Sequence, residues 1–517
     1  MLNVFRRQRS PLTALLFVFG LTILLALPLL AEQGKTGQAV PQQAATVGKV
    51  QVGPRLDPAV VGSWGAPQQL GTIGIHAALL HTGKVVFWWY PLGTGTNSPG
   101  KLYDYTTGAI KDVTIPFDGD FFCSGATILK DGRLLVIGGL LGNPFPGVPD
   151  KGISLTAIFD PATETWSPGP NMNFARWYPT AVEMSDGKVL ALTGKDATAT
   201  AIVLPMETYD ISTNLWTTLP STANIGRLSD TYLKMKLLPS GKIFMAGSNA
   251  QTMVFNPLNN RWMSSAKLNF GNRYHGASTL LPGLTKILTA GGTMTFGGGG
   301  ATATAEVIDT SAATPTWNYV APMNFPRYNA NQVLLADGTI LEVGGAQVTK
   351  YQSPVTTPEL YDPVANTWTE MAVEPNPRTY HSTALLLPDG TVIAAGSDDP
   401  ANRVAGDQYE IFSPPYLFKG ARPTITSAPT SITYNQKYNI ATPDAANITR
   451  VALIRPSATT HDNDFDQRYV DLTFTKGSGQ IRITSPLNSN YAPPGWYMLV
   501  IVNSSGVPSI MPFVQIQ

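Results

Sequence analysis

Short apolar segments bounded by turn glycines recur along most of this chain. One copy runs from Asp131 to Gly139, where an Asp-Gly turn precedes an apolar run that ends at a Gly-Gly pair. Other copies follow turn glycines in the same manner, at Gly83, Gly187, Gly241, Gly338 and Gly390, and a variant covers Lys286–Gly292. An Asp-Gly or Ser-Gly turn beside such an apolar run is typical of a β-hairpin. The pattern predicts an all-β chain with seven hairpin units.

A second motif alternates with the hairpins and consists of an apolar residue, Asp or Asn, a short turn and then Trp. Its copies end at Trp166, Trp216, Trp262, Trp317 and Trp368, which are half of the ten tryptophans. We therefore expect these side chains to pack between neighbouring units. The turn glycines at 83, 132, 187 and 241 are about fifty residues apart, which is the kelch period. Residues 56–420 are thus predicted to form a seven-bladed kelch-type β-propeller. The regular recurrence of Gly-Gly pairs and tryptophans argues against the alternative, an array of β-sandwiches.

The pattern of residues along the chain changes after Pro423. Residues 421–517 contain short alternating segments separated by turns such as Lys476–Gly479 and Pro493–Gly495. This pattern predicts a C-terminal β-sandwich of about a hundred residues.

The N-terminus has the pattern of an export signal. Arg6, Arg7 and Arg9 precede an uncharged, largely apolar run over residues 11–31. The run suits either a cleaved signal peptide or an uncleaved signal-anchor in a membrane, and residues 1–31 are given both interpretations. Either one predicts a secreted or extracytoplasmic protein, which the second would keep anchored to a membrane through residues 11–31. The polar residues 32–55 are predicted to be a flexible linker.

Charge and cysteine content narrow the function classes. The formal net charge is +1 and 13% of the residues are charged, without a long basic run, so the sequence does not favour a nucleic-acid partner. Cys123 is the single cysteine. An exported protein with one cysteine has no internal disulfide, and its thiol therefore needs another explanation.

Cys123, Tyr178 and His381 occupy the same position in three of the repeated units. Each precedes a turn glycine by nine residues, namely Gly132, Gly187 and Gly390. Equal offsets mean equivalent positions, so three blades would direct these side chains towards the propeller axis, and Tyr380 adjoins the third. His461 belongs to the sandwich, so one of its loops must reach the same point. Phenol and imidazole groups are suitable ligands for a tetragonal Cu(II) ion.

The segments that hold these residues resemble the copper radical oxidases, galactose oxidase and glyoxal oxidase. The matching stretches are FFCSG, ARWYPTAVEMSDG, RTYHSTALLLPDG and HDNDFDQR, together with QYEIFSPPYL and PPGWYMLVIVNSSGVPS. The resemblance runs from about residue 60 to the end, and it implies that the C-terminal sandwich is Ig-like (early-set).

The resemblance also implies a role for each residue. Tyr178 would be an equatorial copper ligand, joined to the sulfur of Cys123 by a thioether that carries a radical. Tyr380 would be the axial ligand and the base, and His381 and His461 the equatorial imidazoles. The implied reaction is the two-electron oxidation of a small aldehyde, as its hydrate, or of a primary alcohol, with O2 reduced to H2O2.

Some positions depart from galactose oxidase. Asp196 stands where that enzyme carries a tryptophan over the cross-linked tyrosine, so the aromatic neighbour is missing or comes from elsewhere, with Trp177 as the candidate. Phe296, Gly297 and Asn329 fall where galactose oxidase has other sugar-contacting side chains, which favours small aldehydes or simple alcohols over galactose.

Further expectations concern single residues and the function as a whole. Trp177 and Arg327 are candidate substrate contacts, as is Arg227, although either arginine could instead be a structural ion-pair partner. His76, His81 and His275 lack a matched partner in the sequence and are interpreted as structural or surface residues. The alternative function is a non-catalytic kelch propeller that binds a glycan or a protein partner.

Overall fold

The computed structural model describes residues 56–90, 97–140, 151–226, 230–297, 299–401 and 403–517. The signal segment and the linker, predicted over residues 1–31 and 32–55, lie outside this range. Within it, no helix is both long enough and apolar enough to cross a membrane. The helices are short: Pro58–Val61 and Arg403–Gly406 are α-helical, and Ser221–Ala223, Pro415–Phe418 and Ala445–Asn447 are 3-10 turns.

Seven antiparallel sheets follow one another along residues 63–413, and we number them as blades in chain order. Blade 1 has the strands His76–Leu79, Lys84–Trp88, Gly100–Asp104 and Ile110–Asp112. Blade 2 has Gly125–Ile128, Leu134–Ile137, Thr156–Asp160 and Thr165–Pro168. Blade 3 has Thr180–Glu183, Val189–Leu192, Glu207–Asp210 and Leu215–Thr218. Blade 4 has Met235–Leu237, Ile243–Met245, Gln251–Asn256 and Arg261–Lys267.

The remaining blades repeat this order. Blade 5 has Ala277–Leu280, Lys286–Ala290, Ala305–Asp309 and Trp317–Val320. Blade 6 has Tyr328–Leu334, Ile340–Ala346, Glu359–Asp362 and Thr367–Glu370. Blade 7 has Ser382–Leu386, Val392–Gly396 and Gln408–Ser413, and its outer strand is completed by Ser63–Trp64 and Gln68–Gln69 from the start of the described chain.

Burial explains why the apolar runs became inner strands. In blade 2 every residue of Gly125–Ile128 and Leu134–Ile137 is buried, whereas Thr165–Pro168 at the outer edge is mostly exposed. A strand that is covered on both faces needs apolar side chains on both, because neighbouring blades pack against each. The inner strand of blade 7 packs against that of blade 1, and Thr383 donates a hydrogen bond to the carbonyl of Gly74 at 2.8 Å. The ring is therefore closed, and the seven-bladed propeller is confirmed.

The repeated tryptophans join each blade to the preceding one. The indole N–H of Trp166 in blade 2 donates to the carbonyl of Val113, beside the last strand of blade 1, at 2.7 Å. Trp216, Trp262 and Trp368 make the equivalent bond to the carbonyls of Pro170, Ala223 and Ala321. The expectation that these side chains pack between units is therefore confirmed.

The C-terminal region is a β-sandwich, as predicted. Its larger sheet holds Ser431–Ile432, Phe513–Ile516, Gly495–Asn503, Ile448–Arg455 and Arg468–Asp471. The smaller sheet holds Lys437–Ala441, Gln480–Thr484 and Phe474–Gly477.

One hairpin of the sandwich enters the propeller. Its strand Ala458–Thr460 pairs with the innermost strand of blade 1, with Ala458 opposite Ala78, and Asn463–Asp464 pairs in turn with Ala458–Thr460. The segment that follows is bonded to further blades: Asp466 accepts from the backbone N–H of Ile128 at 2.8 Å, and Gln467 accepts from that of Leu334 at 2.7 Å. These bonds place His461, at the tip of the hairpin, among the inner strands.

Candidate metal centre

The residue at or just before the start of the innermost strand of a blade, which we call the hub position, has a left-handed backbone conformation in six blades. Cys123, Tyr178 and His381 have φ values of 54°, 62° and 65°. The equivalent residues of blades 4, 5 and 6 share it, namely Tyr232, His275 and Asn329. Non-glycine residues adopt this conformation infrequently, and it concentrates at functional sites where the surrounding structure holds it. These residues lie at the start of the innermost strand of their blade: Asn329 is the second residue of its strand, and the others precede theirs by one to three residues. This end of the strand lies at the cluster of Cys123, His381 and His461.

Three potential metal ligands meet at this hub. The Sγ atom of Cys123 lies 3.4 Å from Nε2 of His461 and 3.9 Å from Nε2 of His381. These three atoms all lie within 4.8 Å of one another, and the three residues are buried. Blade 2, blade 7 and the sandwich each contribute one of them.

The two tyrosines complete the cluster. Their hydroxyl oxygens are 3.0 Å apart, although Tyr178 belongs to blade 3 and Tyr380 to blade 7. Their rings lie 5.3 Å and 5.2 Å from the ring of His461, measured between centroids. The structure therefore brings together all five residues that the sequence selected.

Each imidazole has an oxygen atom close to its Nδ1. Nδ1 of His381 lies 2.7 Å from Oδ2 of Asp398, which favours the proton on that nitrogen. Nδ1 of His461 lies 2.5 Å from the hydroxyl of Thr460, and this hydroxyl donates its own proton to the carbonyl of Ile75. The Thr460 oxygen must then accept from Nδ1, so both histidines direct an unprotonated Nε2 into the cluster.

The protonation states suit a cation. Burial lowers the pKa of His381, although Asp398 opposes the shift, and it lowers the pKa of His461 well below the usual value. Neutral imidazole is the form that binds metals. Burial also raises the pKa of the Tyr178 and Tyr380 hydroxyls well above the usual value. A divalent cation at this position would stabilise the phenolate form, so two imidazole nitrogens and two phenol oxygens fit copper.

Cys123 and Tyr178 are also in direct contact. The backbone N–H of Tyr178 donates to the carbonyl of Cys123 at 3.0 Å, and their side chains are hydrogen-bonded. Burial raises the pKa of the Cys123 thiol well above its usual value, and the bond with Tyr178 opposes that shift. The sulfur therefore lies as a neutral thiol beside the phenol.

The aromatic neighbours of Tyr178 are Trp177 and Tyr232. The Trp177 ring lies 4.5 Å from that of Tyr178 at an angle of 49°, and the Tyr232 ring lies 5.0 Å away, edge-on at 84°. Asp196 instead closes a local turn, with its carboxylate accepting from the N–H of Thr198. Trp177 thus supplies an aromatic contact to Tyr178, tilted rather than parallel.

A cavity of about 310 Å³ opens beside the cluster, and Tyr178, Tyr380 and His461 contribute to its wall. Other large side chains that line it include Trp177, Lys195, Tyr274, His275, Phe296 and Lys350. Within the described residues, the buried polar groups that line this cavity and lack a hydrogen-bond partner include the Tyr328 hydroxyl and the Asn329 amide. Such groups are available to a small polar molecule.

Comparison with known proteins agrees with this geometry. Residues 98–416 match the family model described as "Glyoxal oxidase N-terminus", and residues 422–516 match "Galactose oxidase-like, Early set domain". The chain belongs to the copper radical oxidases, the family of galactose oxidase and glyoxal oxidase.

Two curated relatives and one solved structure illustrate the similarity within the copper radical oxidases. A galactose oxidase of Gibberella zeae is 29% identical, with 88% of this chain and 71% of the relative aligned. "Aldehyde oxidase GLOX" of Vitis pseudoreticulata is 28% identical over 80% of this chain and 85% of its own. A structure titled "Novel fungal alcohol oxidase with catalytic diversity among the AA5 family, in complex with copper" has a TM-score of 0.78 and 26% identity. That alignment covers 88% of this chain and 100% of the other.

Arg327 does not reach the cavity of this copper radical oxidase. Its guanidinium is buried in an ion pair with Glu359, at 2.7 Å, and donates to the carbonyl of Gly344 at 3.0 Å. The same arrangement recurs in three other blades, as the pairs Arg176–Glu207, Arg273–Glu306 and Arg378–Glu410. The substrate role expected for Arg327 is therefore corrected: its side chain is a structural element of the blade. Arg227, the other arginine considered, lies outside the described residues.

Two histidines that the sequence analysis interprets as structural or surface residues lie close to the cluster. His275 lines the cavity, and its Nδ1 lies 3.5 Å from Oδ2 of Asp462, which is itself ion-paired with Lys234. His76 accepts a hydrogen bond from the backbone N–H of Cys123 at 3.0 Å. A signal for His275 exists, since it precedes Gly283 almost as Tyr178 precedes Gly187, whereas a lone histidine such as His76 carries none. His81 stacks on Trp496 at 4.3 Å, as a structural residue would.

Proposed function

We propose that this copper radical oxidase oxidises a small aldehyde, as its hydrate, or a primary alcohol by two electrons and reduces O2 to H2O2. The observation that carries the proposal is the convergence of one thiol, two phenols and two imidazoles on one buried point beside a cavity. The reaction removes two electrons and two protons from the substrate. One residue must therefore accept an electron from the substrate, and another must accept a proton.

Four residues would hold the metal: Tyr178, Tyr380, His381 and His461. Copper, when bound, accepts one of the two substrate electrons and fixes the position of the substrate oxygen. The second electron requires another acceptor, which we assign to Tyr178 after its ring is bonded to the sulfur of Cys123. A sulfur substituent stabilises the oxidised phenol by sharing its unpaired electron.

The two phenols accept different groups from the substrate. Tyr380 takes the proton of the substrate hydroxyl, and Tyr178 takes the hydrogen atom from the substrate carbon. The 3.0 Å between their oxygens means that a hydroxyl group and the carbon bearing it can face both acceptors at once. The aromatic walls keep water away from the oxidised Tyr178.

The cavity favours a small polar substrate. Its volume of about 310 Å³ is at the lower end of the range for small-molecule sites. The unpaired groups of Tyr328 and Asn329 offer hydrogen bonds, and Trp177, Tyr274 and Phe296 supply apolar contact. Among relatives, the printed names include an aldehyde oxidase and an alcohol oxidase, which supports both substrate classes.

The alternative, a propeller that binds a glycan or protein partner without catalysis, is not favoured. Binding through surface loops gives no reason to hold four potential ligands, Cys123, Tyr178, His381 and His461, in left-handed conformations, and burying polar groups costs stability.

We further propose that the protein is exported, on the basis of the charged and apolar pattern over residues 1–31. Expression in a secreting host, with fractionation and N-terminal sequencing, distinguishes a cleaved form from a membrane-anchored form. Recovery of all the protein inside the cell would contradict the proposal.

The decisive experiment is a peroxide-coupled assay of the copper-loaded protein against aldehydes, primary alcohols, polyols and galactose. We expect O2-dependent peroxide release with small aldehydes or simple alcohols and little with galactose. Copper-free protein and the zinc-loaded protein are the controls, because zinc occupies similar ligands without redox chemistry. Equal activity in all three forms, or none in any, would refute the proposal.

A further inference from the structure

His76 contacts the backbone of Cys123. It is the first residue of the innermost strand of blade 1 and is completely buried. Its Nε2 accepts the hydrogen bond from the backbone N–H of Cys123 at 3.0 Å, so that nitrogen carries no proton. The other ring nitrogen, Nδ1, is buried and lacks a hydrogen-bond partner among the described residues. An unpaired buried N–H is unfavourable and calls for a reason to keep a histidine here.

Trp88 fixes the plane of the His76 ring. The two rings stack at 4.9 Å with an angle of 10° between them. The indole N–H of Trp88 in turn donates to the hydroxyl of Ser124 at 3.2 Å. This stacked pair therefore contacts two successive residues, Cys123 through its backbone N–H and Ser124 through its side chain.

Two tyrosines donate hydrogen bonds to the carbonyl groups of the same segment. The backbone N–H of Tyr178 donates to the carbonyl of Cys123 at 3.0 Å, and the hydroxyl of Tyr232 donates to the carbonyl of Ser124 at 2.8 Å. Both peptide groups of Cys123 are thus bonded. These bonds are what maintain its left-handed backbone, with φ of 54°, and they set the direction in which its sulfur points.

We propose that His76 is a positioning residue that holds the sulfur of Cys123 against the ring of Tyr178 for formation of the thioether. The inference rests on the proposed function and deepens it. Without the acceptor, the N–H of Cys123 would be buried and unpaired, and the peptide would rotate to find another partner. That rotation would carry Cβ and the sulfur away from the phenol.

The bond formation balances with O2 as the oxidant. The S–H bond of Cys123 and one C–H bond of the Tyr178 ring, ortho to the hydroxyl, are broken, and one C–S bond forms. Two electrons and two protons leave the protein and convert O2 to H2O2. The protein loses the mass of two hydrogens, which can be measured without any substrate turnover.

The test follows this mass loss over time after copper and O2 are added to protein purified without copper. The variants are His76→Phe and His76→Met, which remove the acceptor, and His76→Gln, whose amide oxygen can occupy the position of Nε2. His81→Phe is the matched control, because His81 also stacks on a tryptophan but lies away from Cys123. Copper affinity and thermal unfolding are measured for each variant.

We expect wild type and His81→Phe to lose the two hydrogens at equal rates. His76→Phe and His76→Met should do so about 10- to 100-fold more slowly, the scale of effect for a reacting group misplaced by about 1 Å. His76→Gln should recover most of the rate, and copper affinity should be unchanged in all of them.

Three results would count against the inference. If either folded variant without the acceptor cross-links at the wild-type rate, His76 does not position the sulfur. If the rate falls only in proportion to copper affinity, its role is general to the fold and the inference is wrong. If wild type itself loses no hydrogens, no thioether forms, and both the proposed function and the role of His76 are refuted.

Discussion

Nε2 of His461 lies 3.4 Å from Sγ of Cys123, although 338 residues separate them in the chain. The contact exists because a hairpin of the sandwich is paired with blade 1 and directs His461 into the hub. The candidate metal centre is therefore a property of two structural regions together. Neither the propeller nor the sandwich holds all four of the proposed nitrogen and oxygen ligands by itself.

Replacing the thiol should separate metal binding from turnover. We expect Cys123→Ala to bind copper with near wild-type affinity, because Tyr178, Tyr380, His381 and His461 remain. Turnover should fall roughly 100-fold or more, which is about 2.7 kcal/mol of transition-state stabilisation. Copper titration and the peroxide assay check both parts. Wild-type turnover by the variant would exclude the thioether radical.

Metal binding should stabilise the fold through His461. At a copper concentration a hundred times Kd, a ligand that binds only the folded state adds about 2.7 kcal/mol to the free energy of unfolding. We expect copper to raise the Tm of wild type and chelation to reverse it, while His461→Ala shows little response. His81→Ala, which removes an imidazole elsewhere, should respond as wild type does. An equal copper response from His461→Ala would mean that the ion binds at another site.

Asp398 should tune the affinity for copper without binding it. Its carboxylate lies 2.7 Å from Nδ1 of His381 and also accepts from the hydroxyl of Tyr351 at 2.6 Å. Removing such a partner of a ligating histidine typically weakens metal affinity 10- to 100-fold, and we expect a loss of about this size for Asp398→Asn. The neighbouring variant Asp399→Asn is the control, since Asp399 caps a local turn through the N–H of Ala401. Equal affinities for the two variants would show that this contact does not orient His381.

Arg327 should matter for stability and not for substrate. Breaking a buried ion pair by removing one partner costs about 3–5 kcal/mol, so Arg327→Met should lower the free energy of unfolding by about that amount. The KM of the folded fraction should be unchanged, because the guanidinium points into the blade. Arg133→Met breaks a partly exposed pair with Asp131 and should cost less than about 1 kcal/mol. A raised KM for Arg327→Met at unchanged stability would restore the substrate role.

The misassignment of Arg327 has a physical origin. Its segment PRYN and the segment NRYH around Arg273 place arginine two residues before the hub position, as ARWY does for Arg176. That recurrence points to a structural role in these blades. The glutamate partner of each arginine lies more than thirty residues further on, in the third strand, so the ion pair itself depends on how that strand packs.

The sequence alone determined the blades and selected the residues that are proposed for the centre. Turn glycines, apolar runs and tryptophans at a regular period specify hairpins that must bury both faces, and equal offsets to those glycines identify equivalent hub positions. These are local properties, and a repeat makes them visible.

Only the tertiary structure decided which side chains surround the hub from elsewhere. His76 stands alone in the sequence, and its 3.0 Å bond to Cys123 does not follow from its neighbours. The offset of His275 to Gly283 indicates a hub position, but its place in the wall of the cavity does not follow from that offset. Such contacts join blades and the sandwich across long separations in the chain. They depend on how the ring closes and on where the hairpin enters, because side-chain packing is set by the whole assembly of strands and not by any one of them.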